Sequence, residues 1–351
     1  MEKKQPHNEG FVPKYLLEKL AEKGHEEAKK TLLKMEEIQE KKTISIKNEN
    51  VEDSPTLAPV QAQRLIYDSE NTQEFMHKLV RKEGAPSVRD KFVNFAYDFS
   101  GQTLNYLKDK LNRNSLDNRG MNLIFNVHYD KDLNNAFWDP DLKQLAFGEG
   151  DGKLFTNFTG SSEVVAHEMA HAITQFTSDL KYQHQSGALN EHFSDAIGSA
   201  VKQHIKGQNA KTADWLIGDE IVGPKFPGKA LRSMKNPGTA NELDDQPAHF
   251  KDYRELPLSE DKGGVHQFSG IPNKAFFLVS LEIETDRAAF LWYTAWQNKE
   301  IMHKNATFSE AFKAILEAAK TLTSQGKLPQ NTVKVVENAF HEVGIKLPTT
   351  V

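Results

Sequence analysis

The residues best suited to chemistry are His167 and His171, which flank Glu168 inside an otherwise apolar run, residues 164–173. That run predicts a buried helix. Positions four apart lie on one face of a helix, so the two imidazoles can share one tetrahedral metal ion, with Glu168 beside it. With 13 histidines in 351 residues, a chance match has a probability on the order of a few per cent. The spacing alone leaves open two core histidines placed by chance.

A third ligand is needed, and the next predicted helix supplies a candidate. One class of zinc peptidases has a histidine six residues after the second one, but this chain has Thr177 there. Instead, Glu191 lies twenty residues beyond His171 and can complete a His₂Glu site with the fourth position open to water. Asp195, one turn further on, is placed to accept the free ring N–H of a ligand histidine. A solvated face is the alternative for this helix alone, and its pairing with the first motif favours a metal site.

A third group of residues surrounds His266. Gly263 and Gly264 permit a tight turn beside it, and Asp261 precedes it by five residues. Hydrolysis of a carbonyl group builds negative charge on the oxygen, so a histidine donor oriented by an acid would stabilise the transition state. Taken alone, this segment would more often have a capping or turn role.

Composition limits the class of protein. The length of 351 residues favours two packed lobes, and no apolar run reaches the roughly 18 residues of a membrane-spanning helix. The formal net charge of −5 argues against a nucleic-acid partner. Because the chain has no cysteine, histidine, aspartate and glutamate must hold any metal. We therefore expect no membrane or nucleic-acid partner. We also expect a monomer.

The chain divides into three regions. Apolar residues at helical spacing in residues 14–42, interrupted by Gly24, predict a helical hairpin, and the polar residues 48–55 predict an exposed linker that a protease can cut. Residues 1–55 are thus a propeptide-like segment, residues 56–186 a β-rich lobe with the metal-binding helix, and residues 187–351 a helical lobe. The predicted strand is 123–129, and the predicted helices are 88–111, 164–176, 188–205, 271–281, 285–296, 308–322 and 333–343.

Together these residues resemble the thermolysin family of zinc metallopeptidases, the gluzincins, from about Arg64 to the C-terminus. Further matching segments are 134–138, 148–152, 182–183, 186–188 and 232–234. Residues 13–17, at the start of a short helical region, resemble the brief propeptide of the protealysin-like branch. The resemblance implies an α+β, two-lobed fold with the active-site cleft between the lobes, preceded by a helical propeptide that acts as an intramolecular inhibitor. It implies a zinc-dependent endopeptidase made as a proenzyme, with peptides or proteins as substrates.

The resemblance also implies a role for each matching residue. The zinc ligands would be His167, His171 and Glu191, and the base that takes a proton from the attacking water would be Glu168. The oxyanion would be stabilised by Tyr182 and by His266, which Asp261 orients, while the ligand histidines would be supported by Asp195 and Asn190. The substrate backbone would be held by Asn135, the Ala136 carbonyl and Arg232, in an apolar pocket lined by Phe155, Val164, Ile217 and Leu231. Such a pocket predicts cleavage on the amino side of bulky hydrophobic residues.

The chain departs from the family pattern at two positions. Ala170 replaces a threonine in the histidine motif, which should leave metal binding intact. Lys202 stands where thermolysin has an acidic calcium ligand, and its acidic neighbours, the candidate calcium ligands, are Glu163, Asp214 and Asp219. A lysine ammonium can replace one cation, so we expect one calcium ion or none in this cluster.

Two other functions are alternatives for this sequence. One is a zinc-stabilised binding protein without useful catalysis, which would engage partners through its N-terminal helices; the loss of a ligand, base or oxyanion donor would indicate it, and none is lost. The other is an aminopeptidase, for which no acidic cluster that holds a free amino terminus is evident. Because the first residues lead into charged sequence and not into a signal peptide, we expect a cytoplasmic enzyme or one exported by a leaderless route to the extracellular space.

Overall fold

The computed structural model describes residues 10–46 and 61–349, so the predicted linker at residues 48–55 lies outside the described residues. The fold is α+β, as expected. The helices are α1 Lys14–Glu22, α2 Glu26–Ile46, α3 Lys91–Leu111, α4 Ser162–Phe176, α5 His184–Ile205, α6 Asp261–Phe268, α7 Gly270–Ile283, α8 Thr285–Trp296, α9 Phe308–Ser324 and α10 Thr332–Glu342. The strands are β1 Arg64–Asp68, β2 Lys78–Lys82, β3 Leu123–Val127, β4 Ala136–Asp139, β5 Gln144–Phe147, β6 Leu216–Ile217 and β7 Arg232–Ser233.

A five-stranded mixed sheet forms the β-rich lobe, with strand order β2-β1-β3-β5-β4. On one face of its centre, Phe125 of β3 and Phe147 of β5 are fully buried, and their rings stack 5.5 Å apart. β4 is one of its two edge strands. Since an edge strand has unpaired backbone groups, β4 can receive another extended chain.

Helices α4 and α5 pack closely because of one small residue. A Cβ atom on Gly198 of α5 would lie 2.9 Å from the Glu163 carbonyl oxygen of α4. The sequence prediction began α5 after Gly187, but the helix starts at His184, ahead of the predicted lobe boundary at residue 187. Gly187 is tolerated inside the helix because α6 approaches it, with Val265 Cγ1 only 2.3 Å from where a Cβ would lie.

The helical lobe is built on α5 to α10, which share an aromatic core. Phe312 of α9 and Phe340 of α10 stack 4.5 Å apart. A capping box starts α9, since Thr307 and Glu310 bond reciprocally. The region around His266, predicted as a tight turn, is the short helix α6, in which residues 262–264 have positive φ. The turn prediction is therefore correct for these three residues but misses the helical turn that carries His266.

The N-terminal hairpin α1–α2 turns at Gly24 (φ +90°), as predicted, and contacts both lobes. Lys34 of α2 pairs with Asp130 at 2.9 Å on the β-rich side, and Lys19 of α1 contacts Asp245 on the helical side. None of the helices in the described part of the chain is long and apolar enough to cross a membrane.

Candidate active site

Helices α4 and α5 bring His167, His171 and Glu191 together at the base of the cleft. The two Nε2 atoms lie 3.1 Å apart, and each is 3.5 Å from a carboxylate oxygen of Glu191. Among the described residues, these three form the one group of possible ligands whose atoms lie within 4.8 Å of one another. The predicted convergence of two imidazoles and a carboxylate is thus present.

The outer ring nitrogens are held by acceptors, which leaves both Nε2 atoms facing Glu191. His167 Nδ1 lies 3.0 Å from Asp195 Oδ1, and His171 Nδ1 lies 2.8 Å from Asn190 Oδ1. Both supporting residues stand where the sequence predicted them. Ser194 Oγ, 3.1 Å from His171 Nδ1, is a further neighbour that sequence reasoning missed.

The electrostatics of this trio fit a cation. Burial opposes the charge of His167, but its contacts with Asp195 and Glu191 outweigh burial and raise its pKa to about 9. Burial lowers the pKa of His171 to about 4, so this imidazole is neutral and able to ligate near neutrality. Burial alone would raise the pKa of Glu191, but the surrounding histidines hold it well below its usual range. Two imidazoles and one carboxylate are a donor set typical of a catalytic zinc ion.

Glu168 points from α4 towards the same space. Its Oε2 atom accepts a hydrogen bond of 2.9 Å from the Trp138 backbone N–H, while Oε1 is buried and accepts none from the described residues. Burial raises the pKa of Glu168 to about 8, with His167 lowering it and Glu191 raising it. One carboxylate oxygen is therefore fixed on β4 and the other is free to take a proton.

Tyr182 and His266 lie next to Glu191. The Tyr182 hydroxyl donates to Glu191 Oε1 and lies 3.2 Å from His266 Nε2. Asp261 is 2.6 Å from His266 Nδ1 and also accepts the His266 backbone N–H at 2.8 Å. Burial opposes protonation of His266, but Glu191 and Asp261 outweigh it and raise the pKa to about 9. A cationic imidazole can donate from both ring nitrogens, which suits a group that faces a developing oxyanion.

Arg232 lies on β7 and forms a two-pronged pair with Asp195. Its Nε and Nη2 atoms donate at 2.8 and 2.7 Å. Asn273 of α7, which the sequence did not indicate, also donates to Asp195 at 2.9 Å. Asp195, predicted to support a ligand histidine, and Arg232, predicted to bind the substrate backbone, therefore belong to one hydrogen-bond network.

The N-terminal segment fills the cleft beside these residues. Phe11 N–H donates to the Ala136 carbonyl at 2.9 Å, and Arg232 Nη1 donates to the Phe11 carbonyl at 3.3 Å. The next residue, Val12, exchanges two bonds with the Asn135 side chain, at 2.9 and 3.3 Å. On the other side, His266 Nε2 lies 3.1 Å from the Gly10 carbonyl oxygen. All three residues predicted to hold a substrate backbone thus hold residues of the chain itself.

The Phe11 side chain is fully buried. Its ring meets the edge of His167 at 4.9 Å, and the Arg232 guanidinium lies 5.0 Å above it. The predicted pocket residues are all buried in the same hydrophobic core: Phe155, Val164, Ile217 and Leu231. No local pattern in the sequence marks Phe11, because the contacts that define its position are all long-range.

The cluster predicted around Lys202 is also assembled. The Lys202 ammonium lies 2.8 Å from Glu163 Oε2 and 3.7 Å from an Asp214 carboxylate oxygen, and it contacts Asp219. It also donates to the Leu216 carbonyl at 3.1 Å. Burial would lower the pKa of Lys202, but the acidic neighbours hold it well above its ordinary value. The lysine thus supplies the positive charge at the centre of the three candidate calcium ligands.

Comparison with known proteins agrees with this geometry. Residues 25–175 match the model of the thermolysin metallopeptidase catalytic domain, and residues 178–345 match that of its alpha-helical domain. Protease PrtS of Photorhabdus sp. is 39% identical over 292 residues (81% of this chain, 76% of that protein). An extracellular metalloprotease of Pectobacterium carotovorum is 38% identical over 349 residues (96% of each). The precursor of protealysin, a metalloproteinase from Serratia proteamaculans, has a similar structure, with TM-score 0.82, 36% identity and coverage of 96% of this chain and 100% of that one. The chain therefore belongs to the thermolysin family of zinc-dependent metalloendopeptidases.

Proposed function

We propose that this metalloendopeptidase cuts on the amino side of bulky hydrophobic residues and is made as a proenzyme, inhibited by its own N-terminal segment. The observation that carries both parts is Phe11, which is fully buried in the cleft with its N–H on the Ala136 carbonyl and its own carbonyl on Arg232.

In this proposal His167, His171 and Glu191 hold zinc. When bound, zinc acts as a Lewis acid that polarises the peptide carbonyl and lowers the pKa of a water molecule to about 7. The side chains of the protein orient the substrate and transfer the protons. Glu168 takes the proton of the attacking water with its free Oε1 and passes it to the leaving nitrogen. His266 and Tyr182 donate to the carbonyl oxygen as it becomes negative, and Asp261 keeps the imidazole charged and oriented.

Specificity follows from the place of Phe11. A substrate held like Phe11, with its N–H on Ala136 and its carbonyl on Arg232, puts the side chain that follows the scissile bond into the same apolar core. A full-sized apolar side chain buried there contributes roughly 1.5–3 kcal/mol, whereas a charged one would lose its hydration. We therefore expect cleavage before Phe, Leu and similar residues.

Latency follows from the same contacts. The segment occupies the groups that would bind a substrate backbone, and α1 buries Leu16, Leu17 and Leu20 behind it. Activation then requires a cut in the linker, proposed at residues 48–55, by another copy of the enzyme. The proposal also includes a monomeric enzyme that binds one calcium ion or none near Lys202. Its mature form is proposed to act outside the cell, as the name of the Pectobacterium relative says of that protein.

The test uses the zinc-loaded full chain and its Glu168→Gln variant. The wild-type chain is expected to shorten in intact-mass spectra and then to cut a library of peptides blocked at both ends, before bulky apolar residues. The Glu168→Gln variant should bind zinc and stay full length. Equal cleavage before Asp or Lys would refute the specificity, and shortening of pure Glu168→Gln protein would refute self-processing. A binding protein without catalysis would cut no peptide, and an aminopeptidase would leave blocked peptides intact.

A further inference from the structure

The backbone of Gly10 has a conformation that other residues adopt at a steric cost. Its φ is +76°, and a Cβ atom would lie 2.6 Å from Asn135 Oδ1 and 2.7 Å from the Ala136 carbonyl oxygen. Both neighbours belong to the edge of the sheet, and Ala136 O is backbone that cannot swing aside. An L-residue with a side chain is therefore excluded from this exact placement by strain and by contact.

Gly10 also sits at the point where a substrate would be cut. His266, the proposed oxyanion donor, faces the Gly10 carbonyl oxygen at 3.1 Å, and the Phe11 N–H faces Ala136. Under the proposed function, the bond whose carbonyl meets His266 and whose N–H meets Ala136 is the scissile bond. In the N-terminal segment that bond joins Gly10 to Phe11.

The alignment of the Gly10–Phe11 bond with the scissile position does not by itself explain why the segment inhibits the enzyme. Most residues that precede a scissile bond in protein substrates carry a side chain and need negative φ. The conformation that leads to cleavage must be open to such residues, so it differs from that of Gly10. The Gly10 carbonyl therefore lies where a scissile carbonyl would lie, but the backbone conformation that holds it there is one that ordinary substrates do not adopt.

We propose that Gly10 is the positioning residue that makes the N-terminal segment an inhibitor instead of a substrate. This inference rests on the proposed function. Replacing Gly10 forces negative φ, and the bond between residue 10 and Phe11 then becomes a cleavage site. In that step water adds across the bond: its hydroxyl joins the carbonyl carbon, the C–N bond breaks, and the proton goes to the Phe11 nitrogen.

The chain offers a matched control. Gly24 has φ +90° in the same segment, but a Cβ atom there would meet nothing within 4 Å. Gly10→Ala and Gly24→Ala thus introduce similar backbone strain, and only the first also disturbs the cleft. In zinc-loaded full-length protein, the bond between residue 10 and Phe11 should be cut at least about tenfold faster in Gly10→Ala than in wild type, as read from intact mass and N-terminal sequencing. Gly24→Ala should match wild type.

A second readout does not depend on catalysis. In the Glu168→Gln background, hydrogen exchange at the Phe11 and Val12 amides reports whether the segment is seated, since these N–H groups bond to Ala136 and Asn135. Exchange should be faster with Gly10→Ala and unchanged with Gly24→Ala. Unchanged exchange with Gly10→Ala would overturn the inference, because the position that residue 10 occupies in the cleft would then accommodate a side chain.

Peptide cleavage separates failure of this inference from failure of the proposed function. A peptide blocked at both ends is added to each sample after the wild-type chain has matured. If matured wild type cuts the peptide while the bond between residue 10 and Phe11 stays intact in Gly10→Ala, or if that bond is cut equally fast in wild type, the inference is wrong and the endopeptidase stands. If no sample cuts the peptide, the endopeptidase proposal is wrong and the inference falls with it.

Discussion

Replacing Lys202 by methionine tests the idea that a lysine stands in for a cation. The side chain is 2% exposed on α5, and its ammonium is the positive charge within 4 Å of the Glu163, Asp219 and Asp214 carboxylates. Methionine keeps most of the apolar stem and removes the charge. The substitution therefore isolates the electrostatic contribution.

The expected loss is large because Glu163 is almost fully buried. Removing one partner of a buried ion pair typically costs about 3–5 kcal/mol, since the other charge is left uncompensated. Glu163 can escape part of that cost by taking a proton, because burial already raises its pKa to about 7, with Lys202 opposing and Asp219 adding to the rise. We expect the full loss at pH values above that pKa and a smaller loss below it, with a drop in Tm of roughly 4–7 °C for a chain of 351 residues.

Lys206→Met is the matched control on the same helix. Its partner Glu220 lies 2.7 Å away, but both side chains are partly exposed, so at most about 1 kcal/mol should be lost. Thermal unfolding in the Glu168→Gln background, with and without calcium, measures both variants without self-cleavage. The reasoning fails if the two variants lose similar stability, or if metal-replete crystals of the wild type hold two calcium ions in this cluster.

Substitutions at three further positions test neighbouring claims. Asp195→Asn should weaken zinc binding about 10- to 100-fold in competition with a chelator, because Asp195 fixes His167 at 3.0 Å; unchanged affinity would contradict that role. The folded-state pKa of Glu163 is raised to about 7 from 4.5, so its folded form binds the extra proton between these values and stability falls as pH rises through them, by about 3 kcal/mol at most. Glu163→Gln should remove that slope from Tm measured against pH, and a persisting slope would assign it to another group. Phe11→Ala should raise cleavage of blocked peptide by the uncut precursor more than tenfold, since such truncations cost about 3–5 kcal/mol, while Phe11→Leu should raise it little.

Local spacing predicted the parts of the fold and site that depend on local structure. The helix over residues 285–296 was predicted with both ends correct, since its apolar period is uninterrupted. The helix predicted from residue 88 starts instead at Lys91, because Asp90 caps it by accepting the Phe92 N–H. The i, i+4 spacing placed His167 and His171 on one face, and the structure confirms that they meet.

The remaining parts of the site depend on contacts between distant residues, which spacing does not encode. Asn273 reaches Asp195 from a helix 78 positions away. The role of Phe11 depends on its contacts with Ala136 and Arg232, which no local pattern in residues 10–12 predicts. The assigned roles of Tyr182 and Asn135 came from family resemblance, and the structure adds that both lie within hydrogen-bond reach of the site and the N-terminal segment.

The charge distribution explains why the N-terminal segment has no charged side chain in the cleft. At the bottom of the cleft, the buried charges of Asp195, Glu191 and Arg232 are already paired with one another and with the histidines. A further buried charge there would be left unpaired. Residues 10–12 accordingly bring only backbone groups and apolar side chains, and ionic contacts such as that of Lys34 with Asp130 lie at the periphery. Salt should therefore act on how fast the segment docks, which peripheral charges govern, more than on how tightly it stays seated.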